Sequence, residues 1–256
     1  MHGKTLTAVV VLTTSATAFA AAPRPWRPDM TAAERYASHR QGTIAFAVRT
    51  RTRSWGWHAT TTFPSASVVK AMLLVAYLDM PSVRARRLRA SDGALLVPMI
   101  RRSDNDAASK VLSIVGSARV YAVARGARMR RFALVNGWWG LSRIDAADQA
   151  RFFMRIDVLT ARRHRTYALR LLKTITPEQR WGIARARPRG WRLYFKGGWG
   201  SGTGLVNHQV ALLTRGNKRV SVAILTSGNG SHAYGRQTLR GIAVRLLRGL
   251  DSADVP

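Results

Sequence analysis

The chain has 256 residues, enough for one domain with a large hydrophobic core, and none of them is cysteine. This composition excludes disulfide bonds and thiolate metal sites, and the six scattered histidines lack zinc-binding spacing, so we expect no metal and no cofactor. The formal net charge is +30, which favours an anionic partner, and an anionic cell-wall polymer is one expectation. No zinc finger or RNA-binding motif accompanies this charge, so we expect no specific binding of nucleic acid.

The first twenty residues have the features of an export signal. Lys4 provides a positive start, residues 5–19 form a short apolar stretch, and the small residues Ala18 and Ala20 fit a signal-peptidase site. We therefore predict a signal peptide over residues 1–20 and a secreted or cell-surface location in a bacterium. Loss of this segment removes one positive charge and leaves a net charge of +29.

The next ten residues, 21–30, are rich in proline and predict a flexible lead-in to a folded domain over residues 31–256. Thr31 followed by Glu34 has the spacing of a capping box, which predicts that a short helix begins here.

A hairpin and a buried helix are predicted next. Residues 42–48 and 54–59 have strand-like composition around a basic turn. From Ser67 the run "SVVKAMLLVAYL" is almost continuously apolar, which is typical of a buried helix. Its one charged residue, Lys70, is costly to bury unless the protein uses it.

The middle of the chain, residues 79–188, has helical patterns. One helix is predicted over residues 99–116 and another over residues 142–153, with Asp145 as the N-cap of the second. The segment between them, residues 136–140, is rich in glycine and predicts a loop.

Strand composition returns at residues 191–196, 205–214 and 219–226, and an amphipathic helix is predicted from about residue 232 to 250. This order predicts an α+β fold, an α/β sandwich in which a five-stranded antiparallel sheet is flanked by N- and C-terminal helices. An all-helical lobe, about residues 79–188, would be inserted between the two parts of the sheet.

Ser67 and Lys70 form the first candidate for chemistry. Their spacing of three places both side chains on one face of a helix. A serine in the first helical turn lies in a positive field suited to a developing oxyanion, and a desolvated lysine has a lowered pKa and can act as its base. This pair alone is a weak signal, because the S-x-x-K pattern occurs by chance in many chains.

Two further motifs strengthen it. Ser103-Asp104-Asn105 lies in the predicted helical lobe, and Lys196-Gly197-Gly198 follows a predicted strand. The order S-x-x-K, S-D-N and K-[TS]-G resembles the signature of the class A serine β-lactamases and the penicillin-binding proteins. The Phe63-Pro64 lead-in is also similar to class A enzymes, and the order of predicted elements is similar to a β-lactamase/transpeptidase-like fold.

The resemblance implies three catalytic residues. Ser67 would attack a carbonyl carbon and become acylated, and Lys70 would be its base, directly or through water. Ser103 would relay the proton to the departing nitrogen. The implied activity is that of a serine hydrolase that opens the amide of a small-molecule β-lactam.

It also implies four substrate-binding residues. Asn105 would contact the amide side chain of the substrate, and Lys196 its carboxylate. Gly198 and Trp199 would line the site, with the backbone N–H groups of Trp199 and Ser67 forming the oxyanion hole.

The sequence departs from the family pattern in two places. Gly197 replaces the hydroxyl residue of the third motif, and Ser201 or Thr203 are candidates to supply that hydroxyl. Class A enzymes also carry a glutamate that activates the deacylating water, whereas the glutamates here are Glu34 and Glu178, neither in the corresponding loop. Fast deacylation is therefore not expected.

Two alternatives stay open. One is a D,D-peptidase or another hydrolase of peptidoglycan peptides that uses the same serine and deacylates slowly. The other is a non-catalytic protein that binds the cell wall through its basic surface. A Ser-His-Asp hydrolase is disfavoured, since the chain has no G-x-S-x-G motif. We expect the protein to be a monomer.

Overall fold

The structure is a computed structural model that describes Gly3, residues 25–251 and Val255. Apart from Gly3, the predicted signal peptide lies outside the described residues. Residues 25–29 form neither helix nor strand, but they are not free: Trp26 is buried and its indole N–H donates to the carbonyl of Arg248 at 3.0 Å. This half of the predicted lead-in is therefore anchored to the end of the chain.

The main sheet has five antiparallel strands in the order β2-β1-β7-β6-β5. This arrangement confirms the predicted sheet, with strands from both ends of the chain. The third predicted strand is longer than expected and runs to Gly200. The strands of this sheet are β1 (Thr43–Arg49), β2 (Ser54–Trp57), β5 (Arg192–Gly200), β6 (Val206–Arg215) and β7 (Lys218–Ser227).

Helices cover both faces of the sheet. Almost every residue of β6 and β7 is buried, which requires cover on both sides. Helix α9 packs against β6 and β7, and α1 packs on α9. Helix α6 packs against β6, β7 and β1. The helices are α1 (Met30–Ser38), α2 (Lys70–Leu78), α3 (Pro81–Arg84), α4 (Ala90–Val97), α5 (Asn105–Gly126), α6 (Ala146–Met154), α7 (Ile156–Leu159), α8 (Arg165–Lys173) and α9 (His232–Leu246).

The helical lobe is built around α2, in which every residue is buried, and α5, which packs along it. The single helix predicted over residues 99–116 is wrong, because the chain breaks within it. A π-helical turn over Pro98–Arg102 ends at Ser103, whose φ is 62°, and Asp104 then caps α5 by accepting from the N–H of Ala107 at 2.8 Å. The second predicted helix has Asp145 as its N-cap, as expected, and this carboxylate accepts from the N–H of Asp148 at 2.7 Å. The predicted start at residue 142 is wrong, because residues 143–145 form a β-strand and the helix begins at Ala146.

The cap predicted for the first helix is also wrong. Asp29, not Thr31, is the N-cap of α1, and its carboxylate accepts from the N–H of Ala32 at 3.1 Å. An aspartate two residues earlier offers a charged acceptor at the positive end of the helix, so the helix begins there.

A two-stranded sheet joins the lobes. Strand β3 (Thr62–Pro64) pairs antiparallel with β4 (Arg143–Asp145), and Phe63 lies opposite Ile144. Both of these side chains are buried. This small sheet determines where the chain enters the turn that carries Ser67.

The contact of α1 with α9 depends on Gly241, because a Cβ at this position would lie 2.2 Å from the ring of Tyr36. We expect Gly241→Ala to lower the free energy of unfolding by about 1–3 kcal/mol, since overpacking outweighs the gain in helix propensity. Urea unfolding measures the change. The matched control is Gly93→Ala in α4, where the nearest atom is 3.9 Å away and a gain of up to about 1 kcal/mol is expected. If both variants were equally stabilised, the steric argument would be wrong.

Candidate active site

Ser67 lies on the 3-10 turn Ala66–Val69, directly before α2, and is half-buried. The first residue of this turn has a φ of 42°, a conformation that side chains other than glycine rarely adopt. Two hydrogen bonds hold the turn: the N–H of Ser65 donates to the carbonyl of Ser142 at 2.7 Å, and its hydroxyl donates to the carbonyl of Trp139 at 3.1 Å. The nucleophile candidate thus has a fixed backbone.

His208 on β6 holds the other side of this turn. Its Nε2 contacts the carbonyl of Pro64 at 2.8 Å, and its Nδ1 accepts from the N–H of Thr226 at 3.1 Å. These partners require a neutral ring with the proton on Nε2. Burial lowers the pKa of His208 to about 4, so it stays neutral at physiological pH. We therefore assign His208 a structural role, the positioning of the segment before Ser67.

Lys70 is fully buried at the start of α2. Its Nζ donates to the carbonyl of Ser103 and to Oδ1 of Asn105, the latter at 2.7 Å. Burial lowers the pKa of Lys70 to about 7, although the nearby carboxylate of Asp104 opposes the shift. A neutral amine has two N–H groups, and these two acceptors satisfy both. Nζ also lies 3.4 Å from the hydroxyl of Ser103, whereas the hydroxyl of Ser67 forms no hydrogen bond with Lys70 or with any other described residue.

Ser103 occupies the bend between the π-helical turn and α5. Its left-handed φ of 62° is held by two bonds, since its N–H donates to the carbonyl of Pro98 and its own carbonyl accepts from Lys70. The hydroxyl of Ser103 lies 3.4 Å from Nζ of Lys70 and 2.9 Å from Nζ of Lys196. Backbone strain of this kind concentrates at functional sites.

Lys196 is fully buried and lies in the middle of β5, because this strand continues beyond its predicted end at residue 196. Besides the hydroxyl of Ser103, its Nζ donates to the carbonyl of Gly197 at 2.9 Å. Burial, and then the charge of Lys70, lower the pKa of Lys196 well below its ordinary value. A bound anion beside these two lysines would favour their protonated forms and raise their pKa values.

Gly198 permits the close approach of β5 to the serine turn. A Cβ here would lie 2.9 Å from the nitrogen of Ser67 and 3.0 Å from that of Val68. The next residue, Trp199, is 36% exposed, and its ring packs against those of Trp181 and His232. The backbone of β5 and the N–H of Ser67 are therefore neighbours, as an oxyanion hole requires.

The hydroxyl missing at Gly197 is not replaced by either predicted candidate. Instead, the buried indole of Trp181 fills this space, with ring carbons 3.4 Å from where a Cβ would stand. Thr203 donates its hydroxyl to the carbonyl of Gly200 at 3.2 Å, and Ser201 is exposed. At the third motif, Lys196 is therefore followed by a glycine whose neighbour is the ring of Trp181, not by a hydroxyl side chain.

Trp139 covers Lys70 from the loop before β4. Its ring centroid is 4.8 Å from Nζ of Lys70, and its indole N–H donates to the hydroxyl of Ser109 at 3.1 Å. Among the described residues, no carboxylate forms a hydrogen bond or ion pair with Ser67 or Lys70, and no group of three His, Asp or Glu side chains is placed to hold a metal ion. The direct neighbours of the Lys70 amine thus include an aromatic ring, while the carboxylate of Asp104 acts on it without a hydrogen bond.

The structure brings the seven predicted site residues to one place. The hydroxyl of Ser103 links the two lysines, and the serine turn contacts Gly198 of β5. The seven residues are Ser67, Lys70, Ser103, Asn105, Lys196, Gly198 and Trp199. Their chemical roles stay a prediction. Four supporting residues have no sequence signal, because they act through backbone contacts or ring packing: Ser65, Trp139, Trp181 and His208.

This site and this fold are those of the serine β-lactamase-like class of proteins. The nucleophile candidate lies on a turn that leads into a helix, and two buried lysines surround a second serine between an antiparallel sheet and a helical lobe. The sequence model of the beta-lactamase enzyme family matches residues 84–250, more than half of the chain, and the protein belongs to this family. A search of curated proteins found no match.

Solved structures share the fold. The chain is similar to a beta-lactamase from Sphaerobacter thermophilus, with a TM-score of 0.73, 21% identity and coverage of 86% of this chain and 96% of that one. A beta lactamase from Xanthomonas campestris gives a TM-score of 0.73, 15% identity and coverage of 87% and 97%. The class A beta-lactamase of the last common ancestor of Gram-negative bacteria gives a TM-score of 0.71 and 18% identity, with coverage of 86% of this chain and 97% of that one.

Replacement of Gly198 tests the close approach. The atoms that an added Cβ would meet are backbone atoms of the serine turn, which cannot rotate away. We expect Gly198→Ala to lower the free energy of unfolding by about 1–3 kcal/mol. Gly197→Ala is the matched control, because its nearest neighbour is a ring carbon of Trp181 at 3.4 Å, and a change below about 1 kcal/mol is expected. Equal effects in urea unfolding would contradict the assignment.

Proposed function

We propose that the protein is a serine hydrolase that opens the amide of β-lactams through an acyl-enzyme on Ser67. The observation that carries the proposal is the convergence of Lys70 and Lys196 on the hydroxyl of Ser103, beside the serine turn. The export signal expected at the N-terminus supports an extracytoplasmic site of action.

Acylation begins with Oγ of Ser67 attacking the carbonyl carbon, while its proton passes to the lone pair of Lys70. The oxygen of the tetrahedral intermediate accepts from the backbone N–H groups of Ser67 and Trp199. The C–N bond then breaks, and the hydroxyl of Ser103 donates a proton to the departing nitrogen. Ser103 recovers a proton from the lysine amines, which lie 2.9 and 3.4 Å from its oxygen.

Substrate binding follows from the same charges. A carboxylate near Lys196 favours protonation of this buried amine and is held by it. Asn105 already binds Lys70 through its Oδ1, which leaves its NH₂ group to donate to a substrate carbonyl. The half-exposed ring of Trp199 borders the opening.

Deacylation is the slow step in this proposal. A water molecule needs a base to attack the ester, and no carboxylate contacts Ser67 or Lys70 among the described residues. The ring of Trp139 occupies one side of Lys70, 4.8 Å from its Nζ. This observation favours a second candidate, a D,D-peptidase of peptidoglycan that forms the same acyl-enzyme and releases it slowly.

Intact mass after incubation with a fluorescent penicillin tests the nucleophile. We expect one covalent adduct on the wild-type protein and none on Ser67→Ala, because the proposed acyl-enzyme forms on this hydroxyl. Ser38→Ala, which alters an exposed serine of α1, is the control and should keep the adduct.

The time course of the adduct separates the candidates. An adduct that persists for hours supports the peptidase reading, whereas rapid release with product formation supports a β-lactamase. Absence of both adduct and β-lactam consumption would overturn both enzyme proposals and favour a non-catalytic wall-binding protein.

The pH dependence of acylation tests Lys70 as the base. With a pKa of about 7, Lys70 is mostly protonated below this pH and mostly neutral above it. We expect the acylation rate to rise roughly tenfold per pH unit below pH 7 and to level off above it. Stopped-flow measurements with the fluorescent penicillin between pH 5 and 9 give the profile.

Lys70→Arg should abolish acylation at every pH, because a guanidinium does not lose its proton. Lys110→Met, which alters an exposed lysine of α5, should keep the wild-type profile. A flat profile for the wild type would show that Lys70 is not the base.

A further inference from the structure

A basic groove lies next to the site, between the 3-10 turn Gly182–Arg185 and helix α9. We call it the arginine groove. Trp181 forms part of its wall, and three arginines line it, one from the turn and two from the helix. The lining residues are Trp181, Gly182, Arg185, Ala233, Arg236, Gln237 and Arg240.

The charge of this groove is uncompensated. Arg236 and Arg240 are one helical turn apart and Arg185 belongs to the facing wall, and all three are exposed. None of them forms an ion pair or a side-chain hydrogen bond within the described part of the chain. Residues 179–250 contain thirteen Lys and Arg and no Asp or Glu. Arg219 and Arg248 in this region pair with Asp157 and Asp29, but the three groove arginines are left to attract an external anion.

Trp181 lies between the groove and the candidate active site. One edge of this indole packs against Gly197 in β5, and its ring meets those of Trp199 and His232 edge-on at centroid distances of 5.9 and 5.6 Å. The wall of the groove is therefore in direct contact with β5.

We propose that the arginine groove binds a linear polymer with repeating phosphate groups, of the polyol-phosphate type found in bacterial walls. Arginines spaced by one helical turn and placed on two walls suit successive phosphates of one chain, each able to accept a forked pair of hydrogen bonds. Nucleic acid fits less well, since Trp181 is only 3% exposed and offers no free face on which a base could stack. This binding goes beyond the proposed hydrolysis and does not depend on it.

Fluorescence anisotropy with a labelled decamer of glycerol phosphate tests the proposal on the mature chain. We expect Arg236→Ala/Arg240→Ala to weaken binding about tenfold or more and to reduce the slope of log K against log salt by roughly two. The matched control is Arg51→Ala/Arg53→Ala in the exposed β1–β2 turn, which removes the same charge elsewhere. An equal loss in both variants would overturn the proposal, because binding would then follow net charge alone.

Two competitors define the ligand. Inorganic phosphate at an equal total phosphate concentration should compete weakly; equal competition would indicate a single-anion site and overturn the polymer assignment. A single-stranded oligonucleotide with the same number of phosphates should bind less tightly than the decamer. Tighter binding that is lost in the groove variant would reassign the groove to nucleic acid.

The readout is independent of the serine chemistry. Ser67→Ala should bind the decamer as the wild type does, and the groove variant should still form the penicillin adduct, which also shows that it is folded. Failure of acylation in the wild type would leave the polymer result unchanged, so the two proposals fail separately.

Discussion

The hydroxyl of Ser103, shared by two buried lysines, is the contact on which the rest of the site depends. Lys70 comes from the helical lobe and Lys196 from the sheet, and neither could stay buried without a polar partner. The bent backbone at Ser103 turns its hydroxyl and its carbonyl toward these amines. The break in the helix at Ser103 is therefore what allows one residue to serve both lysines.

The surrounding fold stabilises groups that are individually unfavourable. The apolar helix α2 buries Lys70 among residues such as Leu73 and Leu74, which supply the hydrophobic free energy that offsets the cost of the amine. The positive φ angles at Ala66 and Ser103 are held by hydrogen bonds and by packing from both lobes. Packing of the core thus offsets the unfavourable free energy of the buried amine and of the positive φ angles at the site.

The sequence predicts the strands and the three motifs well, because periodicity and motif spacing are local properties of the chain. The prediction from sequence fails where a contact between distant residues determines the local conformation. Asp29 displaces Thr31 as a cap, and Ser103 breaks a run that reads as one helix. Lys196 appears at the end of its predicted strand, yet the pairing of β5 with β6 continues to Gly200 and places it in the core. Trp139 could not be foreseen, since its position depends on the short loop that leads into β4.

The small sheet of β3 and β4 has a consequence for how the protein matures. The serine turn is held by Ser142 from one distant segment and by Gly198 from another, so it reaches its final shape only after non-local contacts have formed. A partly folded chain would contain Ser67 but would lack the close approach of Gly198 and the burial of Lys70. If Ser67 is the nucleophile, its covalent labelling would report the completion of folding, and partly folded molecules would not be labelled.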